Sequence, residues 1–256
     1  MTASVSTRGM KGALYSDAQR ELMYADALTY YIHNLLPQGG YKIVFVENSG
    51  WNLDSLKNKL PSYNPSEIEF VSLAPEDFDI TRGKGYNEVL MINQAVSKSK
   101  FINSAEGFFK VTGRYPIYNI KHFIDNASQF IHRGGYLYAD IKDHPIYDWL
   151  RLGWCGHSFE CRLFGVNKSF YISHIAPLYE QCNDYEGRLL EGVMFDFLKQ
   201  HSGSYSLRFK REPHFGGREG SAISAMSFSQ DQDSLKSKLK RFIGNVIRIT
   251  MPFFRF

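Results

Sequence analysis

The chain has 256 residues, 43% of them apolar and 15% aromatic, with a formal net charge of +4. This describes a globular protein of one well-cored α/β domain or two small ones. The positive balance is too mild for nucleic acid and suits anionic small molecules or a membrane surface; no apolar run approaches transmembrane length.

The opening segment, Thr2 to Ser6, is β-compatible and starts abruptly at Met1, so the strand is short or the true start lies upstream. No signal-peptide core is visible between Met1 and Met10. Gly9 to Ser16 reads as a loop, and Ser16 to Gln19 offers N-cap candidates. From Arg20 to Leu36 apolar residues recur at helical spacing, and Pro37-Gln38-Gly39-Gly40 ends the helix. Tyr41 to Val46 is a continuous β-branched and apolar run, the pattern of a buried parallel strand. It ends in Glu47-Asn48-Ser49-Gly50. Ligands of open α/β sheets bind beyond the carboxyl ends of strands, which makes these four residues pocket candidates.

A helix over Leu53 to Leu60, a strand over Ile68 to Leu73 and a helix over Gly85 to Ser97 follow. The alternation predicts an α/β fold with a mostly parallel sheet. Phe108 to Thr112 is a further strand, Ile117 to Phe130 a helix, and Gly135 to Ala139 a strand ending at Asp140-Ile141-Lys142-Asp143. Phe159 to Val166 reads as a strand, Lys168 to Tyr179 as a helix interrupted at Pro177, and Tyr185 to Gln200 as a helix carrying Glu191. Arg211 to Ser221 is a glycine-rich polar loop. Cys155, Cys161 and Cys182, an odd number without Cys-x-x-Cys spacing, read as the reduced thiols of a cytoplasmic protein.

Composition changes after Asp233. From Leu235 to Phe256 there is no acidic residue, while Lys236, Lys238, Lys240, Arg241, Arg248 and Arg255 alternate with aliphatic and aromatic side chains. This is a basic amphipathic segment of the interfacial type. Its two readings are packing on the domain by its apolar face and docking on an anionic membrane surface; charge of one sign favours the second. The expected division is therefore a domain over 1–228 and a tail over 229–256.

Phe108 to Pro116 carries the strongest chemical signal. Lys110, Thr112, Gly113 and Arg114 place two cations, a hydroxyl and a bare backbone position at the end of an apolar strand, a set suited to a diphosphate. The alternative is a strand end with solvated cations. Arg82-Gly83-Lys84-Gly85 precedes a helix whose N-terminus can approach an anion; it matches neither the Walker pattern nor Gly-x-Gly-x-x-Gly and serves equally as a turn. Asp140 and Asp143 are carboxylates of the kind that hold Mg²⁺ or Mn²⁺ across a diphosphate, although no Asp-x-Asp is present. The alternative is a solvated turn.

In this order the pieces resemble a family of bacterial surface-polysaccharide glycosyltransferases, acting on capsule, O-antigen or lipooligosaccharide chains, with a GT-A-like fold. The resemblance spans about residues 1–225. It rests on Thr2-Ala3-Ser4-Val5, Arg20 with Tyr24, Glu47-Asn48-Ser49-Gly50, Gly83-Lys84-Gly85 with Glu88, Lys110 to Tyr115, Asp140, Glu191 and Glu212-Pro213. It implies transfer of a sugar from a nucleotide donor, UDP-linked by expectation, to a growing glycan or lipid-linked glycan at the inner face of the plasma membrane. Carried over, Thr2, Ala3, Glu47 and Asn48 face the nucleoside, with Arg20 and Glu88 beside the donor. Lys84, Lys110 and Arg114 stabilise the diphosphate, Asp140 stands in the place of the metal-binding acid, and Glu191 is the catalytic base. A non-catalytic nucleotide- or glycan-binding module and a phosphotransferase are the competing classes.

Overall fold

The computed structural model describes residues 1–9, 14–143, 149, 156–217 and 235–250. Strands β1 (Thr2–Ala3), β2 (Ile43–Glu47) and β3 (Ile68–Ser72) pair in parallel, in the order β1-β2-β3. Strands β4 (Gly107–Val111), β5 (Leu137–Tyr138), β8 (Leu163–Asn167) and β9 (Tyr205–Ser206) form a second sheet in the order β4-β8-β5-β9. In it β8 runs antiparallel to both neighbours and β9 is parallel to β5. A parallel bridge between Thr2 and Thr112 joins the two sheets. The combined spatial order is β3-β2-β1-β4-β8-β5-β9. The remaining pair, β6 (Ile141–Asp143) and β7 (His157–Phe159), is antiparallel and separate.

Alternation along the strands builds a core on each face of the joined sheet. Phe45 and Ile43 join Tyr24, Leu28, Tyr31 and Ile32 of α1 (Asp17–Asn34) and Phe123 and Ala127 of α4 (Ile120–His132) in one. Val46 and Val71 join Val89, Ile92 and Val96 of α3 (Gly83–Lys98) and Val193, Met194 and Phe197 of α5 (Leu190–Gln200) in the other. A short helix α2 (Leu53–Lys57) follows β2. The N-cap of α1 is Ser16, in a capping box with Gln19.

Several expected elements differ in form. The strand expected over Phe159 to Val166 is split into β7 and β8 by a turn at Glu160–Arg162. There the Arg162 guanidinium doubles back onto the Glu160 carboxylate, with Nε 2.8 Å from Oε1. The helix expected from Lys168 continues past Phe170 as a π-helical and then a 3₁₀ segment. Pro177, which has no amide hydrogen, falls in the 3₁₀ part. Helix α5 begins at Leu190 and not at Tyr185, because Gly187 turns left-handed (φ +77°) after a single 3₁₀ turn. Glu191 thereby falls in the first turn of α5. The segment at Asp231 to Ser234, the 228/229 boundary, residues 218–221 of the polar loop and Cys155 lie outside the described residues; Cys161 and Cys182 are buried free thiols.

Candidate functional site

In the joined sheet the chain leaves β1 outward to β2 and β3, then crosses back to β4 on the other side of β1. This is a topological switch point, and the crevice beyond the carboxyl ends of the flanking strands is where ligands of open α/β sheets bind. A cleft of about 440 Å³ lies there, within the range of small-molecule sites. Residues after β1, β2 and β4 line it, together with the first turns of α3 and α5.

Thr2, Ala3, Arg20, Asn48, Lys84, Glu88, Thr112, Arg114 and Glu191 all line this cleft. Sequence positions spread over some 190 residues thus converge. Their roles are not uniform. Arg20 is buried, and its guanidinium donates to the carbonyls of Ser4 and Val5, with Nε 3.0 Å from the latter. It fixes the path of the chain leaving β1. Asn48 accepts from the Ser4 hydroxyl at 2.6 Å and helps in the same task.

Lys84 and Arg114 are two of the cations that line the cleft, beside Arg8, Arg20 and Arg162. Desolvation lowers the pKa of Lys84, and the Arg114 guanidinium lowers it further. Two cations that feel each other across a cavity are a site for an anion with more than one charge. Arg114 lies over the ring of Tyr115, with Nη2 donating to the Tyr115 hydroxyl at 3.0 Å. Its Nε is buried and has no hydrogen-bond partner among the described residues. A buried donor left open is costly unless a ligand or water answers it.

Lys110 is placed differently from the expectation. Its ammonium sits beneath the floor, 2.7 Å from Glu88 Oε1 and 3.0 Å from Thr112 Oγ1, and it also donates to the Cys161 carbonyl. Thr2 Oγ1 donates to the same Glu88 oxygen at 3.1 Å. The group is a closed polar network whose cation is already neutralised. Arg162 lines the cleft instead; the signal for it, a lone Arg in a turn between strands, was not legible in the sequence.

The glycine loop is also spoken for. Asp184 accepts from the amides of Lys84 (2.6 Å) and Gly85 (3.3 Å), capping α3 with a carboxylate from a distant turn. A Cβ on Gly83 would stand 2.5 Å from Asp184 Cβ, and one on Gly85 2.9 Å from Leu190 Cβ. These glycines admit the Asp184 turn and the start of α5. They do not form an open phosphate cradle. Gly113 has the same character: its amide donates to Thr2 O at 2.9 Å, and a Cβ there would meet that oxygen at 2.7 Å.

Glu47 is fully buried and lines no part of the cleft. Its carboxylate gathers the amides of Val5, Ser49 and Trp51 at 2.9–3.1 Å, so it shapes the loops from below the cleft. Asp140 lies outside the cleft lining as well. Its Oδ2 meets Arg248 Nη1 at 2.7 Å and its Oδ1 accepts from the Phe209 amide at 3.0 Å. Asp143 faces His157 Nδ1 at 3.1 Å and Lys199 Nζ at 3.4 Å. Each carboxylate is answered by its own cation, a poor donor set for Mg²⁺ or Mn²⁺. Among the described residues no three His, Cys, Asp or Glu side chains are grouped as metal ligands.

Glu191 stands at the cleft wall in the first turn of α5. Desolvation raises its pKa, and the carboxylates of Glu88, Asp184 and Glu160 raise it further. A carboxylate so tuned is a stronger base than a solvated one when ionised.

No family model matches the chain, and no curated protein matches it. Among solved structures, it is similar to the mannosyltransferase Ktr4p from S. cerevisiae in complex with GDP, at 11% identity and TM-score 0.45. The similarity covers 93% of this chain and 76% of that one. A second structure of Ktr4p gives TM-score 0.49 at 11% identity, with the same 93% and 76% coverage. Core-mannan synthase A from Aspergillus fumigatus, in its Mn/GDP form, gives 0.43 at 9% identity, covering 84% of this chain and 73% of that one. Likenesses this distant carry no argument about the site.

Proposed function

We propose that this chain is a glycosyltransferase that moves a sugar from a nucleoside-diphosphate donor to a hydroxyl acceptor. The observation that carries the reading is the pairing, across one switch-point cleft, of two cations with a carboxylate of raised pKa. Lys84 and Arg114 form the first part and Glu191 the second.

The chemistry asks for this polarity. As the glycosidic bond to the donor breaks, negative charge grows on the leaving diphosphate, and fixed cations stabilise it most when water is excluded. Arg114, laid over the Tyr115 ring at the cleft wall, can donate to such an oxygen. Glu191, once ionised, accepts the proton of the acceptor hydroxyl as that oxygen attacks the anomeric carbon. Asp140 and Asp143, the carboxylates expected to hold a metal, are each paired with a cation, and Lys84 and Arg114 meet the leaving diphosphate in this reading. The acceptor follows the resemblance: a growing surface polysaccharide or lipid-linked oligosaccharide.

A phosphotransferase is less well served, because the amides at the start of α3 are taken by Asp184. A test with radiolabelled nucleotide sugars separates the classes. Label retained in a lipid-extractable product, or slow hydrolysis of donor without acceptor, supports a glycosyltransferase. Binding of donor with neither outcome supports a non-catalytic module and sinks the reading.

A further inference from the structure

The last described helix, α6 (Leu235–Thr250), is mounted with its polar side inward. Arg248 reaches Asp140 at 2.7 Å and the Phe209 carbonyl at 3.2 Å. Asn245 Oδ1 accepts from the Glu212 amide at 2.8 Å. These two residues and Gly244 share one side of the helix. On the opposite side Leu239, Phe242, Ile243, Val246 and Ile249 are 57%, 65%, 49%, 43% and 63% exposed. A surface helix of a globular protein ordinarily does the reverse and buries its apolar stripe. Here the protein spends an internal ion pair to hold the stripe outward, and contiguous exposed patches of this kind mark interaction sites.

We infer that the outward face of α6 is a docking surface for an anionic lipid bilayer, with Asp140 and Arg248 serving as the anchor that sets its pose. The charge pattern selects the occupant. The segment from Leu235 to Phe256 has no Asp or Glu and six Lys or Arg, five of them besides the Arg248 that Asp140 holds. A second copy of the same face would bring two positive segments together, whereas an anionic headgroup layer accepts both the bases and the apolar side chains. No described helix is long and apolar enough to cross a membrane, so the geometry is that of a helix lying on the surface.

The test is co-sedimentation of the full chain with vesicles of phosphatidylcholine alone or with about one third phosphatidylglycerol. The wild-type protein should pellet with the anionic vesicles and far less with the neutral ones, and added salt should weaken it. The double variant Phe242→Ser/Ile249→Ser changes only exposed side chains. It should keep the wild-type Tm and lose anionic-vesicle affinity by about tenfold or more. Three results would overturn the inference. One is wild-type protein that stays in the supernatant. Another is a double variant that binds vesicles unchanged. The third is a wild-type dimer in light scattering that the double variant converts to monomer, which assigns the face to a second copy.

Discussion

Lys110 Nζ stands 2.7 Å from Glu88 Oε1, with the lysine side chain 2% exposed. This ion pair ties β4 to α3 directly under the cleft, and it moves Lys110 from the ligand to the scaffold. Removing Lys110 leaves the Glu88 carboxylate, 22% exposed at the cleft, without its cation. We expect Lys110→Met to lower stability by about 1–3 kcal/mol, and the double variant Lys110→Met/Glu88→Leu to recover much of that loss. Urea denaturation of both variants checks it. A Lys110→Met protein as stable as wild type, yet unable to bind donor, would return Lys110 to the diphosphate.

Arg114 is expected to behave in the opposite way. Arg114→Ala should reduce kcat by about 10²–10³-fold, the range for losing one donor to a developing oxyanion. Its thermal unfolding should change much less than that of Lys110→Met. Arg114→Lys should rescue poorly, since an ammonium cannot both lie over Tyr115 and donate to such an oxygen. Steady-state kinetics alongside circular dichroism separates the two effects.

For Glu191 the sign of the pH dependence is fixed by its role. A base works when deprotonated, so turnover should rise with pH through the Glu191 pKa, above the ordinary glutamate range because that pKa is raised. Glu191→Gln should lose about 10²–10⁴-fold in transfer while keeping donor binding. Asp184→Asn keeps an acceptor for the α3 amides but removes a negative charge that raises the Glu191 pKa. It should move the acid limb to lower pH. An unmoved limb in a pH–rate profile would count against Glu191 as the titrating base.

Gly83 offers a structural check on the α3 cap. Its φ is +86° and a Cβ would lie 2.5 Å from Asp184 Cβ. Gly83→Ala should cost about 1–3 kcal/mol through backbone strain and displacement of the cap. Thermal denaturation reads this directly, and an unchanged Tm would mean that the Asp184 turn moves without cost.

Much of the scaffold was legible because it follows local rules. The apolar run ending at Val46, the Ser16 cap and the period of α1 and α3 each specify their element without help from elsewhere. The cleft was legible too, since polar residues at strand ends gather at a switch point whatever their chemistry. Individual roles were not, because they depend on partners far away in sequence. Glu47 looks like a ligand until the Val5, Ser49 and Trp51 amides close on it. Asp140 looks like a metal acid until Arg248 arrives from over a hundred residues downstream. Asp184 had no signal of its own, and its capping of α3 appears only once the turn before α5 is laid on Gly83. The tail pattern was plain in the sequence, but not which side of α6 faces the body.

Donor binding in the Lys84–Arg114 cleft is the property from which the proposed activity follows. Thermal-shift titration of wild type and Arg114→Ala with UDP-, GDP- and CMP-sugars, each with and without Mn²⁺, tests it. A ligand that binds only the folded state stabilises it by about 2.7 kcal/mol at one hundred times its Kd. We predict that at least one of the diphosphate-linked sugars raises the wild-type Tm without metal and that Arg114→Ala removes most of the rise. No shift with any donor, or equal shifts in both proteins, would contradict the assignment of the cleft.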